Sequence, residues 1–145
     1  MILREIEAVY KHSNANKPRI TSATDVVALV NVLYPEGVNY VEQVKMIAMN
    51  NNSRVLGTAT IGTGGLTECV CDIRVLFQRL LLANATCFIL VHNHPSGNCK
   101  PSRVDDELTK NVKDASRIMK IRLLDHVIVT EEPNNYYSYN ENSKL

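Results

Sequence analysis

Apolar residues recur at helical spacing in three segments of the chain, and a residue that can cap a helix precedes each of them. The segment 22–34 begins with Ser22, and Asp25 follows three residues later, which is the pattern of a capping box. The segments 72–84 and 102–120 begin with an aspartate and a serine. Both then carry apolar residues every three or four positions, so the chain is predicted to form three helices.

Apolar runs of strand length fill the segments between these predicted helices. Two strands joined by Asn-rich turn residues are predicted within 44–62, and a short strand is predicted at 66–70 after a Gly-Gly loop. The run at 86–91, TCFILV, is apolar throughout, which is typical of a central strand that is buried on both faces. A further buried strand is predicted at 123–129, and an edge strand at 136–139.

The order of these elements predicts an α/β domain with a single mixed β-sheet flanked by helices, because hairpin connections come early and a helix crossover comes later. A length of 145 residues fits one such domain. Residues 1–20 are polar and lack periodicity, so we expect an N-terminal arm there and the domain over 21–145. The last five residues, 141–145, are expected to fray.

Composition and charge bear on whether the protein binds nucleic acid, associates with a membrane or is secreted. The chain is 45% hydrophobic and 21% charged, with a formal net charge of +1, so electrostatics give no argument for nucleic acid or a membrane surface as a partner. No apolar run approaches the ~20 residues that a membrane span needs, and the first residues lack the apolar core of a secretion signal. We therefore expect a cytoplasmic protein without a membrane partner, and its oligomeric state is left open.

Two histidines stand at the end of the central apolar run, and they are the strongest candidates for metal ligands. Side chains at positions i and i+2 of an extended segment point to the same side, ~6.6 Å apart along the chain, so His92 and His94 can converge on one ion. A turn follows, and Asp105 falls in the first turn of the next predicted helix, where it can supply a third ligand. Two imidazoles and a carboxylate suit one Zn²⁺ ion with a bound water, and Fe²⁺, Mn²⁺ and Co²⁺ fit as well.

Hydrolysis at such an ion also needs a group that takes a proton from water and passes it to the leaving group. The carboxylates predicted near strand ends are Glu36, Glu42 and Glu68, and Glu42 is the best placed because it heads the first strand. The hydroxyl group of Ser102 can donate a hydrogen bond to a developing oxyanion.

Several of these residues also have ordinary structural interpretations. Ser102 and Asp105 have the spacing of a capping box, which stabilises a helix by ~1 kcal/mol. A pair of histidines is a weak signal by itself, and an isolated glutamate such as Glu42 is usually solvated. The four cysteines lack the C-x2-C spacing of structural zinc sites and are expected to be reduced thiols. Cys99 lies close to the histidines and is an alternative to Asp105 as a ligand, or a fourth ligand.

The pair Asp125 and His126 lies inside an apolar run that is predicted to be a strand. A buried, hydrogen-bonded pair with a structural role is one interpretation. The other is that the pair supports the metal ligands from behind.

The spacing of His92, His94, Ser102 and Asp105 resembles the JAMM motif of JAB/MPN-domain metalloproteases. The resemblance is closer to the RadC-like branch of that family, because the sequence HNHPSG at 92–97 is followed by PS at 101–102 and an aspartate in the next helical turn. Three other segments are also similar to RadC-like proteins, and the resemblance covers about 22–139: RVLG at 54–57, LLAN at 81–84 and LLDHVIV at 123–129.

This resemblance implies a JAB/MPN fold, which is similar to that of cytidine deaminases, and a zinc-dependent hydrolase. It implies that His92, His94 and Asp105 hold the zinc ion, that Glu42 is the general acid and base, and that Ser102 steadies the tetrahedral intermediate. The implied substrate is an unidentified peptide or protein conjugate, cleaved at a peptide or isopeptide bond.

Two alternatives accompany the hydrolase hypothesis. The family name suggests an accessory protein of DNA repair that does not cleave proteins. RadC-like proteins often carry an N-terminal helix-hairpin-helix region, but residues 1–20 contain no such hairpin, and DNA binding therefore has no support from sequence or charge. The second alternative is a structural module that is stabilised by a metal ion and has no catalytic activity.

Overall fold

The computed structural model describes residues 17–65 and 70–145. The elements of the described chain follow one another in this order: α1 (Ala23–Ala28), α2 (Val30–Leu33), β1 (Gln43–Met49), β2 (Val55–Thr63), α3 (Ile73–Leu82), β3 (Cys87–Asn93), α4 (Arg103–Met119), β4 (Arg122–Val129) and β5 (Tyr137–Ser138).

The five strands form one mixed sheet in the order β2-β1-β3-β4-β5. Strand β1 pairs antiparallel with β2 and with β3, β3 pairs parallel with β4, and β5 pairs antiparallel with β4 at the edge. The parallel pair is joined through α4, as a parallel connection requires a crossover. The prediction of an α/β domain with a single mixed sheet and flanking helices is therefore confirmed.

Helices cover both faces of this sheet, so the apolar core has two halves. On one face, α1 and α2 pack on alternate strand residues such as Ile47, Ile89 and Val127. On the other face, α3 and α4 pack on the intervening residues, such as Phe88 and Leu90. Every residue of β3 is buried, which agrees with the apolar run that predicted a central strand.

The predicted helix at 22–34 is divided at Leu29 into α1 and α2. The capping box at its start is present, since Ser22 Oγ accepts from the Asp25 N–H and the Asp25 side chain accepts from the Ser22 N–H. Leu29 has φ −93° and ψ 0°, and its N–H donates to the Val26 carbonyl oxygen three residues back. The segment is rich in β-branched valines, which lose side-chain freedom in a helix, so a break there costs little.

The ends of the chain and the loop before α3 differ in part from expectation. The strand predicted at 66–70 lies outside the described residues except for Val70, which is in no strand. The prediction of a frayed tail is wrong, because the Lys144 N–H donates to the Tyr139 carbonyl oxygen at 2.8 Å and Leu145 packs on the core. Of the predicted arm, residues 17–20 are described, and Ile20 is buried there. None of the described helices is both long and apolar enough to cross a bilayer.

Candidate metal centre

Strand β3 supplies the two histidines of the candidate site. His92 lies in the strand, and His94 follows it, with its N–H donating to the Val129 carbonyl oxygen of β4 at 3.1 Å. The two rings point to the face of the sheet that α4 covers, and their centroids are 4.7 Å apart in an edge-to-face arrangement. The period of two along an extended chain thus brings the rings together, as the spacing predicts.

Asp105 reaches these histidines from the first turn of α4. Its Oδ1 lies 3.3 Å from His92 Nε2, and its Oδ2 lies 3.1 Å from His94 Nε2. The same Oδ2 accepts from the Ser102 N–H at 2.8 Å, and Ser102 Oγ accepts from the Asp105 N–H at 3.1 Å. One carboxylate therefore belongs both to a complete capping box and to the cluster with the histidines.

Glu42 enters the cluster from the residue before β1. Its N–H donates to the Gly65 carbonyl oxygen, and its own carbonyl oxygen accepts from the Gly64 N–H, both at 2.8 Å, so the two residues that follow β2 hold its backbone. The side chain points inward, and only 6% of the residue is exposed. Its Oε1 lies 2.6 Å from His92 Nε2. The sequence placed Glu42 at the head of the first strand, and the sheet register brings it opposite the end of β3.

Asn93 holds this part of the chain together, and sequence reasoning missed it. Its Nδ2 donates to the carbonyl oxygens of Val38 and Val41, at 2.6 and 2.8 Å, and its Oδ1 accepts from the Gln43 N–H at 2.8 Å. The side chain is fully buried on the face opposite to its neighbouring histidines. It therefore fixes the loop that leads to Glu42 against β3. The only signal in the sequence was a polar residue between two histidines at the end of an apolar run.

Among the described residues, four side chains form a group that can hold a metal ion: Glu42, His92, His94 and Asp105. Their ligand atoms all lie within 4.8 Å of one another. Ligands ~2.1 Å from a tetrahedral zinc ion are separated by about 3.4 Å. The distances from Asp105 to the two imidazole nitrogens, 3.3 and 3.1 Å, are close to that separation. The donor set and its spacing thus fit a metal ion.

Charges in the cluster stabilise one another and shift the pKa values of two members. Burial opposes ionisation of Asp105, but its hydrogen bond with His94, the charge of His92 and the Ser102 N–H outweigh burial and hold its pKa well below the usual range. Burial also opposes protonation of His94, but the hydrogen bonds to Asp105 and to the Asn98 carbonyl, with the charges of Asp105 and Glu42, raise its pKa. Without a metal ion, a proton on His94 supplies positive charge that the carboxylates attract.

A second layer of hydrogen bonds orients each imidazole. His94 Nδ1 lies 2.7 Å from the Asn98 carbonyl oxygen, which can only accept, so Nδ1 carries a proton and Nε2 faces the cluster. His92 Nδ1 lies 3.2 Å from His126 Nε2, and His126 Nδ1 lies 2.6 Å from Thr109 Oγ1. His126 is fully buried, and burial together with the charge of His92 lowers its pKa to about 3.

The sequence model of the RadC-like JAB domain matches residues 20–145. The chain belongs to the RadC-like JAB domain family. Curated relatives carry the name UPF0758 protein and are similar over part of their length. The Flavobacterium johnsoniae protein is 36% identical over 83% of this chain and 51% of its own length, and the Streptococcus sanguinis protein is 41% identical over 68% and 43%. The chain thus spans about half the length of the curated relatives that it matches.

Two further residues that the sequence singled out lie beside the centre of this RadC-like JAB domain. Ser102 Oγ acts as the cap acceptor of α4, and its hydroxyl proton stays available for donation. The Cys99 thiol donates to Asn135 Oδ1 at 3.2 Å and is outside the group that can hold a metal ion, so a role as ligand has no support. Of the other predicted carboxylates, Glu36 is exposed and Glu68 lies outside the described residues.

A cavity of about 240 Å³ adjoins the candidate metal centre of the RadC-like JAB domain. Its polar lining residues include His92, Asp105, Glu107 and Asn111, and apolar side chains such as Val44 line much of the rest. The cluster therefore adjoins a small pocket with both polar and apolar walls.

Proposed function

We propose that this RadC-like JAB domain is a zinc-dependent hydrolase of peptide or isopeptide bonds. The observation that carries the proposal is the convergence of Glu42, His92, His94 and Asp105 within 4.8 Å, next to a cavity. The two histidines and Asp105 are the proposed ligands of one zinc ion per chain. Glu42, which lies just before β1, is the proposed general acid and base, as the resemblance to the JAMM motif implies.

The residues divide the work of hydrolysis between them. A bound zinc ion supplies Lewis acidity, which polarises a carbonyl group and makes water acidic near neutral pH. Glu42 takes the proton from the attacking water and later gives it to the leaving amine. The hydroxyl proton of Ser102 is available to stabilise the oxyanion that forms on the former carbonyl oxygen. The cavity would hold a side chain of the substrate close to the scissile bond.

The test of this role replaces the carboxylate of Glu42 by an amide. We expect Glu42→Gln to lower the rate of cleavage of fluorogenic peptide and lysine-linked isopeptide probes by about 10²–10⁴-fold, because general acid–base catalysis contributes that much. The zinc content should stay at one equivalent. Glu36→Gln is the matched control, because Glu36 is an exposed glutamate six positions earlier, and it should leave both quantities unchanged.

Two results would contradict the proposal. One is that the zinc-loaded protein cleaves neither class of bond above the rate of zinc in solution. The other is that Glu42→Gln retains the full rate of cleavage.

Nucleic-acid binding is a second candidate function, because cations are concentrated in one place despite the near-neutral net charge. A second cavity of about 610 Å³ lies along α4, and five cationic side chains line it: Lys100, Lys110, Lys113, Arg117 and Lys144. Asp106 and Asp114 are the carboxylates among its lining residues. Such an excess of positive charge attracts phosphates.

Binding to a labelled oligonucleotide at low and at moderate salt tests this candidate. The variant Lys113→Ala/Arg117→Ala should bind more weakly and with a smaller dependence on salt. Arg74→Ala removes an exposed cation from α3 and serves as the control. Equal binding by all three proteins, or no binding at low salt, would exclude it.

A further inference from the structure

Behind the candidate metal centre, a chain of hydrogen bonds runs from the backbone of α4 to His92. Thr109 Oγ1 lies 2.8 Å from the Asp105 carbonyl oxygen and 2.6 Å from His126 Nδ1, and His126 Nε2 lies 3.2 Å from His92 Nδ1. His92 Nε2 then faces the carboxylates of the cluster. The proposed hydrolytic mechanism assigns no role to Thr109 or His126.

The donor and the acceptor of each hydrogen bond in this series follow from the Asp105 carbonyl oxygen at its far end. A carbonyl oxygen can only accept, and two oxygens 2.8 Å apart without a proton between them would repel, so Thr109 donates its single hydroxyl proton to Asp105. Thr109 Oγ1 must then accept from His126 Nδ1. His126 Nδ1 therefore carries a proton.

Because His126 is neutral, the proton on its Nδ1 also determines which nitrogen of His92 carries a proton. Its exposed fraction is 0%, and within the described parts of the chain its ring nitrogens bond only to Thr109 and His92, neither of which is a carboxylate. A buried imidazolium without such a partner would be strongly disfavoured. With a proton on Nδ1, a neutral His126 has a lone pair on Nε2. His92 Nδ1 must donate to that lone pair.

We propose that Thr109 and His126 are positioning residues, which hold a proton on Nδ1 of His92 so that Nε2 is the ring nitrogen left to bind a metal ion. A neutral imidazole with a proton on Nδ1 has its only lone pair on Nε2, and a metal ion binds to that lone pair. The ring of His126 is itself held, because Tyr139 stacks on it at 4.9 Å with an angle of 4° between the planes. This inference rests on the metal centre of the proposed function, but not on hydrolysis.

A matched pair of substitutions at position 109 tests this relay, which is the series of hydrogen bonds from Thr109 through His126 to His92. Thr109→Val keeps the shape of the side chain and removes the hydroxyl group, so His126 loses the acceptor that fixes its proton. We expect the zinc affinity, measured by competition with a chelator, to fall about 10–100-fold, as is typical when an outer partner of a ligating histidine is lost. Thr109→Ser keeps the hydroxyl group and should restore the affinity to within a few-fold of the original protein.

Ser116→Ala is the control for loss of a buried hydroxyl group from the same helix. Ser116 Oγ donates to the Lys113 carbonyl oxygen and is outside the metal cluster, so its removal should leave zinc affinity unchanged. An unchanged affinity in Thr109→Val, or an equal loss in Ser116→Ala, would overturn the proposal.

The tautomers themselves can be measured without any substitution. Long-range ¹⁵N–¹H correlation spectra of the metal-free protein should show the Nδ1–H form for His126 and a proton on Nδ1 of His92. A proton on Nε2 of a neutral His126 would overturn the relay. Neither measurement uses hydrolysis, so a protein that binds zinc through this relay but cleaves nothing would refute the proposed function and leave this inference standing.

Discussion

Asp105 and Asp125 are both buried, but Asp105 belongs to the candidate metal site whereas Asp125 is a structural anchor, and the pKa values of the two carboxylates differ. Both are nearly inaccessible, with 5% and 6% of the residue exposed. The neighbours of Asp105 include two histidines, and its pKa is held far below the usual range even though burial opposes ionisation. For Asp125, burial raises the pKa more than the hydrogen bonds to its carboxylate lower it, so its pKa is raised.

The hydrogen-bond partners explain the contrast. Asp125 accepts from neutral donors: the Ser138 hydroxyl group at 2.6 Å and the backbone N–H groups of His126 and Asn140 at 2.8 and 3.0 Å. Neutral donors hold the carboxylate in position but do not compensate its charge as a cation would. The carboxylates of the candidate metal cluster, Glu42 and Asp105, face two imidazoles, which favours positive charge between them. Burial alone therefore does not identify a functional carboxylate, whereas the charge of its partners does.

The largest expected effect comes from converting each aspartate into its neutral amide. Asp105→Asn should weaken zinc binding by more than about 100-fold, since loss of a direct ligand should exceed the 10–100-fold that outer contacts contribute. Asp125→Asn keeps Oδ1 as the acceptor for the backbone N–H groups of His126 and Asn140 and should leave zinc affinity unchanged. Titration of both metal-free variants with zinc in competition with a chelator compares them directly. Equal affinities would remove the distinction between the two residues.

A smaller effect is expected when the anchor is removed altogether. Asp125→Ala leaves the Ser138 hydroxyl group and two backbone N–H groups without their acceptor, so we expect the free energy of unfolding to fall by about 1–3 kcal/mol. Urea unfolding of the metal-free protein measures this change. A protein as stable as the original would show that Asp125 does not anchor β4 to the segment at 138–140.

The pH dependence should also differ between the metal-free and the zinc-bound protein. The folded pKa of His94 is raised, so in the metal-free protein its contribution to stability is fully present below its unfolded pKa of ~6.5 and is lost as the pH rises through the folded pKa. Zinc binding has the opposite sign, because the ion replaces the proton on Nε2. Zinc affinity should thus weaken as the pH falls from 8 to 6, by up to about tenfold per pH unit for one proton displaced.

Unfolding and zinc titrations at pH 6, 7 and 8 separate these two trends. The affinities are corrected for the protonation of the chelator. Zinc affinity that is constant over this range would contradict the assignment of His94 as a ligand.

The sequence was sufficient for the parts of the site that depend on local geometry. The period of two in a strand predicts that His92 and His94 share a face. The position of Asp105 one turn into a capped helix predicts that its carboxylate approaches the two histidines. Glu42 could be ranked above Glu36 and Glu68 because it heads a strand. The central strand at 86–91 could be assigned because it is apolar on both faces.

The remaining features depend on contacts between distant parts of the chain. Asn93 bonds to residues 50 to 55 positions away, and nothing in its local sequence indicates these partners. Thr109 has an ordinary helical context, and its role follows only from the register that places His126 of β4 next to α4. The break at Leu29 was missed because no glycine or proline marks it.

The central claim is that the cluster at the end of β3 is a zinc centre. Crystals grown with one equivalent of zinc, with diffraction recorded at and below the zinc absorption edge, test it most directly. We predict one anomalous peak, about 2.0–2.2 Å from the Nε2 atoms of His92 and His94 and from an Asp105 oxygen. A zinc peak held by other residues, or no peak in this cluster, would contradict the claim.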